Sequence, residues 1–363
     1  MDKTMSVGYN PDFNPTGIEG GVDTNDIPWL ELPQAPGLSI KPLRASTESG
    51  MFSMIVKLAK GTELSGLVYL GAMDMMVLSG TLTYPNGPMA GTLEPGTWGY
   101  VPANSRIDRL IANEDVEFLG NFYGPIAFLN KDSNGVASIL TALDILGAAR
   151  DEGVTLVPNT LAECMAERPP AYKGQAEPLA MAGTNTGALV TQAEGVAADT
   201  SQTVHPHFVD TRAVPWIVNP EVPDIALKVL RVSEETGTSS LIVRHNGVAG
   251  PHYHLGAADF LILSGHIGYR AGPPEGYGPG VWFYEPPGAR HEATQRIGDE
   301  DLIYTANVYG PLQFDEGEGT PIVAVQSWMQ YKEMAVAAGV ELVQNTFEGD
   351  SSLMAWAPIG ASA

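Results

Sequence analysis

The chain has one cysteine, Cys164, in 363 residues. That excludes an intramolecular disulfide and fits a reducing compartment. No basic residue flanks it in Ala162-Glu163-Cys164-Met165-Ala166-Glu167, so nothing local activates the thiol as a nucleophile. Basic residues are also scarce: 19 Lys and Arg face 42 Asp and Glu, a formal net charge of -23. Such a charge repels phosphate backbones and anionic bilayers, which argues against nucleic acid or a membrane surface as partner. No apolar run approaches the roughly 18 residues of a membrane span, and Met1 to Asn14 lacks the apolar core of a signal peptide. A soluble, cytoplasmic protein is expected. Histidine is missing from the first 204 residues, and all seven histidines lie beyond them.

What is plentiful is glycine, 41 residues, and proline, 28, between short runs rich in Val, Ile, Leu and Tyr. This pattern predicts many short strands and turns, an all-β antiparallel sandwich or barrel. Self-similarity is extensive. Val22-Asp-Thr-Asn-Asp-Ile-Pro-Trp29 returns as Val209-Asp-Thr-Arg-Ala-Val-Pro-Trp216, and Leu70-Gly-Ala-Met-Asp-Met-Met-Val-Leu-Ser-Gly80 as Leu255-Gly-Ala-Ala-Asp-Phe-Leu-Ile-Leu-Ser-Gly265. Asn121-Phe-Tyr-Gly-Pro125 returns as Asn307-Val-Tyr-Gly-Pro311. The chain therefore reads as a duplicated domain: 1–161, a connection over 162–204, and 205–363. In the first copy, strands are expected at 53–58, 68–78, 97–101 and 117–123. Their counterparts fall at 240–245, 252–263, 281–285 and 302–309. A helix is expected at the end of each copy, over 137–152 and 322–338, where apolar residues recur at helical spacing.

The second copy carries the chemistry. His252 and His254 stand at i and i+2, and on a strand such residues share a face. His291 follows 37 residues after His254, behind Glu285-Pro-Pro-Gly288. A neighbouring strand could bring it to the same ion. Three imidazoles suit iron, zinc, copper or nickel rather than magnesium or calcium.

Comparing the copies sharpens this. His252 aligns with Leu67, His254 with Tyr69 and His291 with Ile107, so all three candidate ligands are missing from the first copy. Glu285 aligns with Val101 and Arg270 with Pro85, which makes both candidates for orienting ligands or binding substrate. Asp259 is kept as Asp74 where no histidine accompanies it, and so reads as scaffold. The Trp98/Trp282, Tyr100/Tyr284 and Arg106/Arg290 pairs read the same way. His205-Pro-His207 is expected to be a loop or surface turn, and His245 and His266 ordinary strand residues unless they face inward.

At Val209 to Trp216, His252-x-His254, Glu285-Pro-Pro-Gly288 and His291 the second copy resembles the cupin superfamily. More narrowly it is similar to the acetylacetone-cleaving and 2,4'-dihydroxyacetophenone dioxygenases and their ChrR-like cupin relatives. Together with the internal repeat, the resemblance implies two tandem cupin barrels (double-stranded β-helix, jelly-roll), each followed by a short helix, the first a degenerate relative without a metal site, whereas the relatives are usually single-cupin chains. It implies an Fe(II) site of His252, His254 and His291, with Glu285 and Arg270 as catalytic helpers. The reaction implied is oxygen-dependent cleavage of a C–C bond beside a carbonyl in a β-diketone, α-hydroxyketone or related small substrate. Alternatives are a zinc- or nickel-dependent hydrolase or isomerase and a non-catalytic metal or small-ligand sensor. Partners would be the small substrate and O2, with a homo-oligomer left open.

Overall fold

Short β-branched and aromatic runs bounded by glycine and proline cannot build long helices, and they pair instead as antiparallel strands. The computed structural model describes residues 21–131, 135–165, 205–220, 222–269, 273–291, 293–316 and 320–347. In it the chain forms two jelly-roll barrels, every strand pair antiparallel, with short helices at Ala142–Asp151, Leu161–Met165 and Trp328–Ala337. No helix among the described residues is long and apolar enough to cross a membrane.

In the N-terminal barrel a seven-stranded sheet runs Phe208–Asp210, Thr97–Val101, Met73–Ser79, Val116–Phe122, Phe52–Leu58, Ser39–Ala45, Leu30–Glu31. A six-stranded sheet is ordered Val136–Leu140, Ile126–Leu129, Glu63–Tyr69, Ser105–Ala112, Leu82–Tyr84, Gly91–Leu93. Their inner faces form one core that includes Phe52, Met54, Leu67, Tyr69, Met73, Val101 and Phe122.

The C-terminal barrel repeats the large sheet as Val22–Asp23, Val281–Glu285, Ala258–Ser264, Ile303–Val308, Ser239–His245, Ile225–Val232, Ile217–Val218. Its remaining strands form a four-stranded sheet, Arg290–His291, His252–His254, Leu312–Phe314, Ala324–Gln326, and a three-stranded one, Val248–Ala249, Thr294–Ile297, His266–Gly268.

Three details differ from the sequence reading. First, the expected strands at 68–78 and 252–263 are each broken in two, the pieces lying in different sheets. The breaks fall at Gly71 and Gly256: a Cβ on Gly71 would lie 2.5 Å from the Tyr123 carbonyl carbon, and one on Gly256 2.6 Å from that of Tyr309. Only glycine permits that backbone approach, and the chain crosses between sheets there. Second, the expected helices over 137–152 and 322–338 begin later, each after a strand, Val136–Leu140 or Ala324–Gln326. Capping sets the start: Thr141 N–H donates to Asp144 Oδ2 at 2.8 Å and Ser327 N–H to Gln330 Oε1 at 2.9 Å. Third, the compact units are not contiguous in sequence. Val22–Asp23 belongs with the C-terminal barrel, where Val22 pairs with Trp282, and Phe208–Asp210 belongs with the N-terminal barrel, where Phe208 pairs with Gly99. Of the connection expected over 162–204, 166–204 lies outside the described residues.

Candidate metal centre and its cavity

The break at Gly256 puts His252–His254 in the four-stranded sheet while Ala258–Ser264 joins the large one. On the short strand His252 and His254 are 7% and 4% exposed, with ring centroids 5.0 Å apart. Tyr253, between them, is half-buried and lies under the Arg290 guanidinium, 5.4 Å from its ring centroid. Arg290 also ion-pairs with buried Asp315 at 2.7 Å, pinning the adjacent strand.

Glu285 ends Val281–Glu285 and is 2% exposed, its Oε2 2.7 Å from His254 Nε2. Tyr269 OH donates to Glu285 Oε1 at 3.3 Å. Burial, reinforced by the Glu285 charge, holds the Tyr269 phenol well above its usual range, so it stays protonated and donates. His291 stands directly opposite His252 in the antiparallel register, as Ile107 stands opposite Leu67 in the other barrel. Its position shares the face of His252. For His291 the description extends to the backbone only. Arg270 lies outside the described residues.

Among the described residues no three His, Cys, Asp or Glu side chains form a ready metal cluster. The donors that are described nonetheless fit a transition-metal ion. His252 Nδ1 lies 2.8 Å from the Gly250 carbonyl oxygen, which only accepts, so the proton sits on Nδ1 and the lone pair on Nε2. His254 Nε2 and a carboxylate oxygen at 2.7 Å need a proton or a metal ion to hold them together.

These groups open onto a cavity of about 500 Å³. Its walls are mainly apolar, with Ile217, Leu227, Leu241, Val243 and Phe260 among them. Strand parity explains the lining: Leu241, Val243 and His245 alternate inward on one strand, and Tyr304, Ala306 and Val308 on the next.

The register shows why this barrel is hollow and its twin full. In the N-terminal barrel Phe52, Phe122, Met73 and Val101 form one row across the large sheet. Phe52 and Phe122 stack at 5.0 Å between centroids and fill the interior. The matching row in the C-terminal barrel is Ser239, Val308, Ala258 and Glu285. Two aromatic rings and a methionine are replaced by three small side chains, and the space they vacate faces the histidines.

Asp259 points away from the cavity. It accepts from Asn307 Nδ2 at 3.3 Å and Tyr309 OH at 2.5 Å, and Asp74 accepts from Asn121 and Tyr123 in the same way. His207, expected on a surface turn, is buried: its carbonyl accepts from Tyr100 N–H and its ring packs edge-on to Phe347 at 4.7 Å. Sequence comparison missed Tyr269 because the other copy keeps Tyr84 there. It also missed His245 and Tyr304, which line the cavity and answer to Leu58 and Phe118.

Two antiparallel jelly rolls in one chain, one of them hollow and presenting histidines from a short strand, define a two-cupin protein. The chain belongs to the ChrR cupin-like domain family, whose model matches it twice, at residues 19–127 and 204–311, more than half its length. No curated protein sequence matches it. Among solved structures, a proposed dioxygenase from Nostoc punctiforme is similar over 89% of this chain and 97% of its own, with TM-score 0.50 and 13% identity. A proposed acetylacetone dioxygenase from Methylibium petroleiphilum is 24% identical, over 35% of this chain and 91% of its own, with TM-score 0.32. Oxalate decarboxylase from Bacillus subtilis is 15% identical over 84% of this chain and 78% of its own, with TM-score 0.45. At 13% identity the likeness to the Nostoc punctiforme structure is one of fold.

Proposed function

We propose that the C-terminal cupin is an Fe(II)-dependent dioxygenase that cleaves a C–C bond beside a carbonyl in a β-diketone, an α-hydroxyketone or a related small molecule. The observation that carries this reading is the matched contrast between the barrels. His252, His254 and Glu285 border a buried, largely apolar cavity where Leu67, Tyr69 and Val101 are packed into a solid core. Burying such polar groups is costly unless they are paired, as His254 is with Glu285, and a concave apolar site with a few convergent polar groups suits a small organic ligand.

His252, His254 and His291 would hold the metal. When bound, that ion supplies coordination positions for substrate and oxygen together with Lewis acidity. Glu285, beside His254, would orient that imidazole and accept a proton from the enolisable carbon of the substrate. The Tyr269 phenol holds the carboxylate in place through Oε1. Arg270 would stabilise negative charge on the substrate oxygen. The apolar walls keep water out while the bond is cleaved, one O2 being consumed and one oxygen atom entering each fragment.

The test is metal analysis of protein purified without oxygen, followed by oxygen uptake with β-diketones and aryl ketols. Iron occupancy near one per chain with substrate-dependent oxygen consumption is expected. Tightly bound zinc or nickel with turnover indifferent to oxygen would sink the proposal in favour of a hydrolase or isomerase. Metal without turnover would favour a sensor.

A further inference from the structure

The cavity has a second polar end. His245 and Tyr304 both line it, and His245 Nδ1 lies 3.2 Å from Tyr304 OH. Neither belongs to the candidate metal centre. Glu285 shares a row of the large sheet with Ala258 and Val308, and Tyr304 lies four residues along the strand from Val308. That is a backbone separation of about 13 Å along the sheet at the usual antiparallel rise, which the side chains reaching into the cavity shorten. Phe260 stands between, its ring 5.2 Å from that of Tyr304.

The pair also obeys the contrast that marks the metal ligands. The equivalent positions in the solid barrel are Leu58 and Phe118, both in its core. A leucine has become a histidine and a phenylalanine a tyrosine only where the barrel is hollow, and the two new polar atoms meet each other. A scaffold role does not require this, because the twin barrel folds on Leu58 and Phe118.

We infer that His245 and Tyr304 form an anchoring site for a neutral hydroxyl group carried by the substrate at the end remote from its reacting carbonyl. The inference rests on the reading of this cavity as a ketone site. Burial, aided by the Glu285 charge, keeps the Tyr304 phenol protonated. When His245 Nδ1–H donates to the Tyr304 phenol oxygen, that oxygen keeps its own O–H to donate and a second lone pair to accept, the complement of a hydroxyl, which is both. A carboxylate at the same place would be buried among Ile225, Leu227 and Val243 without a full counter-charge. The preferred substrate is thus a neutral hydroxyketone or hydroxydiketone long enough to span the two ends. The short diketone acetylacetone would leave the pair unused.

Calorimetric titration of the full-length, metal-loaded protein without oxygen tests this with two ligands, nonane-2,4-dione and 9-hydroxynonane-2,4-dione. The wild type should bind the hydroxylated compound about tenfold more tightly, the effect of one well-made hydrogen bond in a buried site. In His245→Leu and Tyr304→Phe, which restore the side chains of the solid barrel, the ratio of the two affinities should fall towards one. A merely structural role would weaken both ligands together and leave the ratio intact. Equal affinities in the wild type, or a ratio unchanged in the variants, overturns the anchoring site and leaves the metal-site reading standing. Failure of both diketones to bind overturns the two readings together.

Discussion

The contact between His254 and Glu285 concentrates the chemistry of the C-terminal barrel in two residues. Replacing His254 by Ala removes one imidazole of the expected three, and tight metal binding should be lost. Tyr69→Phe, at the matching place in the N-terminal barrel, should leave the stoichiometry near one metal per chain. Metal content after gel filtration separates the two outcomes, and two tightly bound equivalents in the wild type would show that the N-terminal barrel was misread. Glu285→Gln keeps the shape and removes the charge, so metal affinity should drop by about 10- to 100-fold in chelator competition. His207 gives a different residue-scale prediction. Burial, with His205 nearby, lowers its pKa from 6.5 to about 4. The unfolded chain then binds a proton that the folded chain refuses between those values, so stability should fall as pH drops from 6.5 towards 4. His207→Gln should flatten that part of the stability-pH curve; an unchanged slope would assign it to other groups. The histidine pair and Glu285, which line one cavity, stood out in the sequence because Leu67, Tyr69 and Val101 take their places in the other copy. His245 and Tyr304 have apolar counterparts too, but only strand parity and the cavity reveal that they face inward and meet.

At the scale of strands, four side chains in one row decide whether a barrel is solid or hollow. Phe122→Val should cost the N-terminal barrel roughly 2–4 kcal/mol, since it deletes a ring from a packed core that cannot fully collapse around the void. The converse change, Ser239→Phe with Val308→Phe, rebuilds the Phe52–Phe122 stack across the same register in the C-terminal barrel. It should abolish diketone binding while the protein remains folded in chemical denaturation. Retained ligand affinity would mean that the cavity is not the ligand site. The strand content was legible from the alternation of apolar residues. The crossings at Gly71 and Gly256 were not, because each sits in a stretch without proline or a turn pair that reads as one strand, and only the partner glycines at 124 and 310 show two backbones needing the same space. The late helix starts escaped for a related reason: Val136, Ile139, Ile322 and Val325 have apolar spacing that fits a helix, yet all are exposed, and the caps at Thr141 and Ser327 set the boundary.

On the scale of the whole chain, duplication was plain from the repeats, but repeats cannot say which barrel a copy's first strand joins. Here those strands are exchanged. Val22–Asp23 pairs with Trp282 and Val281, with Thr24 N–H and Oγ1 both donating to the Gly280 carbonyl. Phe208–Asp210 pairs with Thr97–Gly99, and the Phe208 ring stacks on Tyr84 at 5.6 Å. That ring occupies the space above Gly99, where a Cβ would lie 2.2 Å from it. A cut between residues 200 and 201 therefore takes an edge strand from each barrel although it falls between the two copies. Fragment 1–200 loses the buried Phe208, a loss worth about 3–5 kcal/mol by analogy with truncating a core phenylalanine. Fragment 201–363 loses the strand that covers the fully buried Trp282. Each fragment alone should melt at a lower temperature than the intact protein, and mixing them should raise both transitions as the missing strands return in trans. Metal added to the mixture should then raise the C-terminal transition further, by mass action on the folded form, and leave the other where it is. Fragments that melt at the intact protein's temperatures before mixing would show that the exchanged strands contribute nothing to either core.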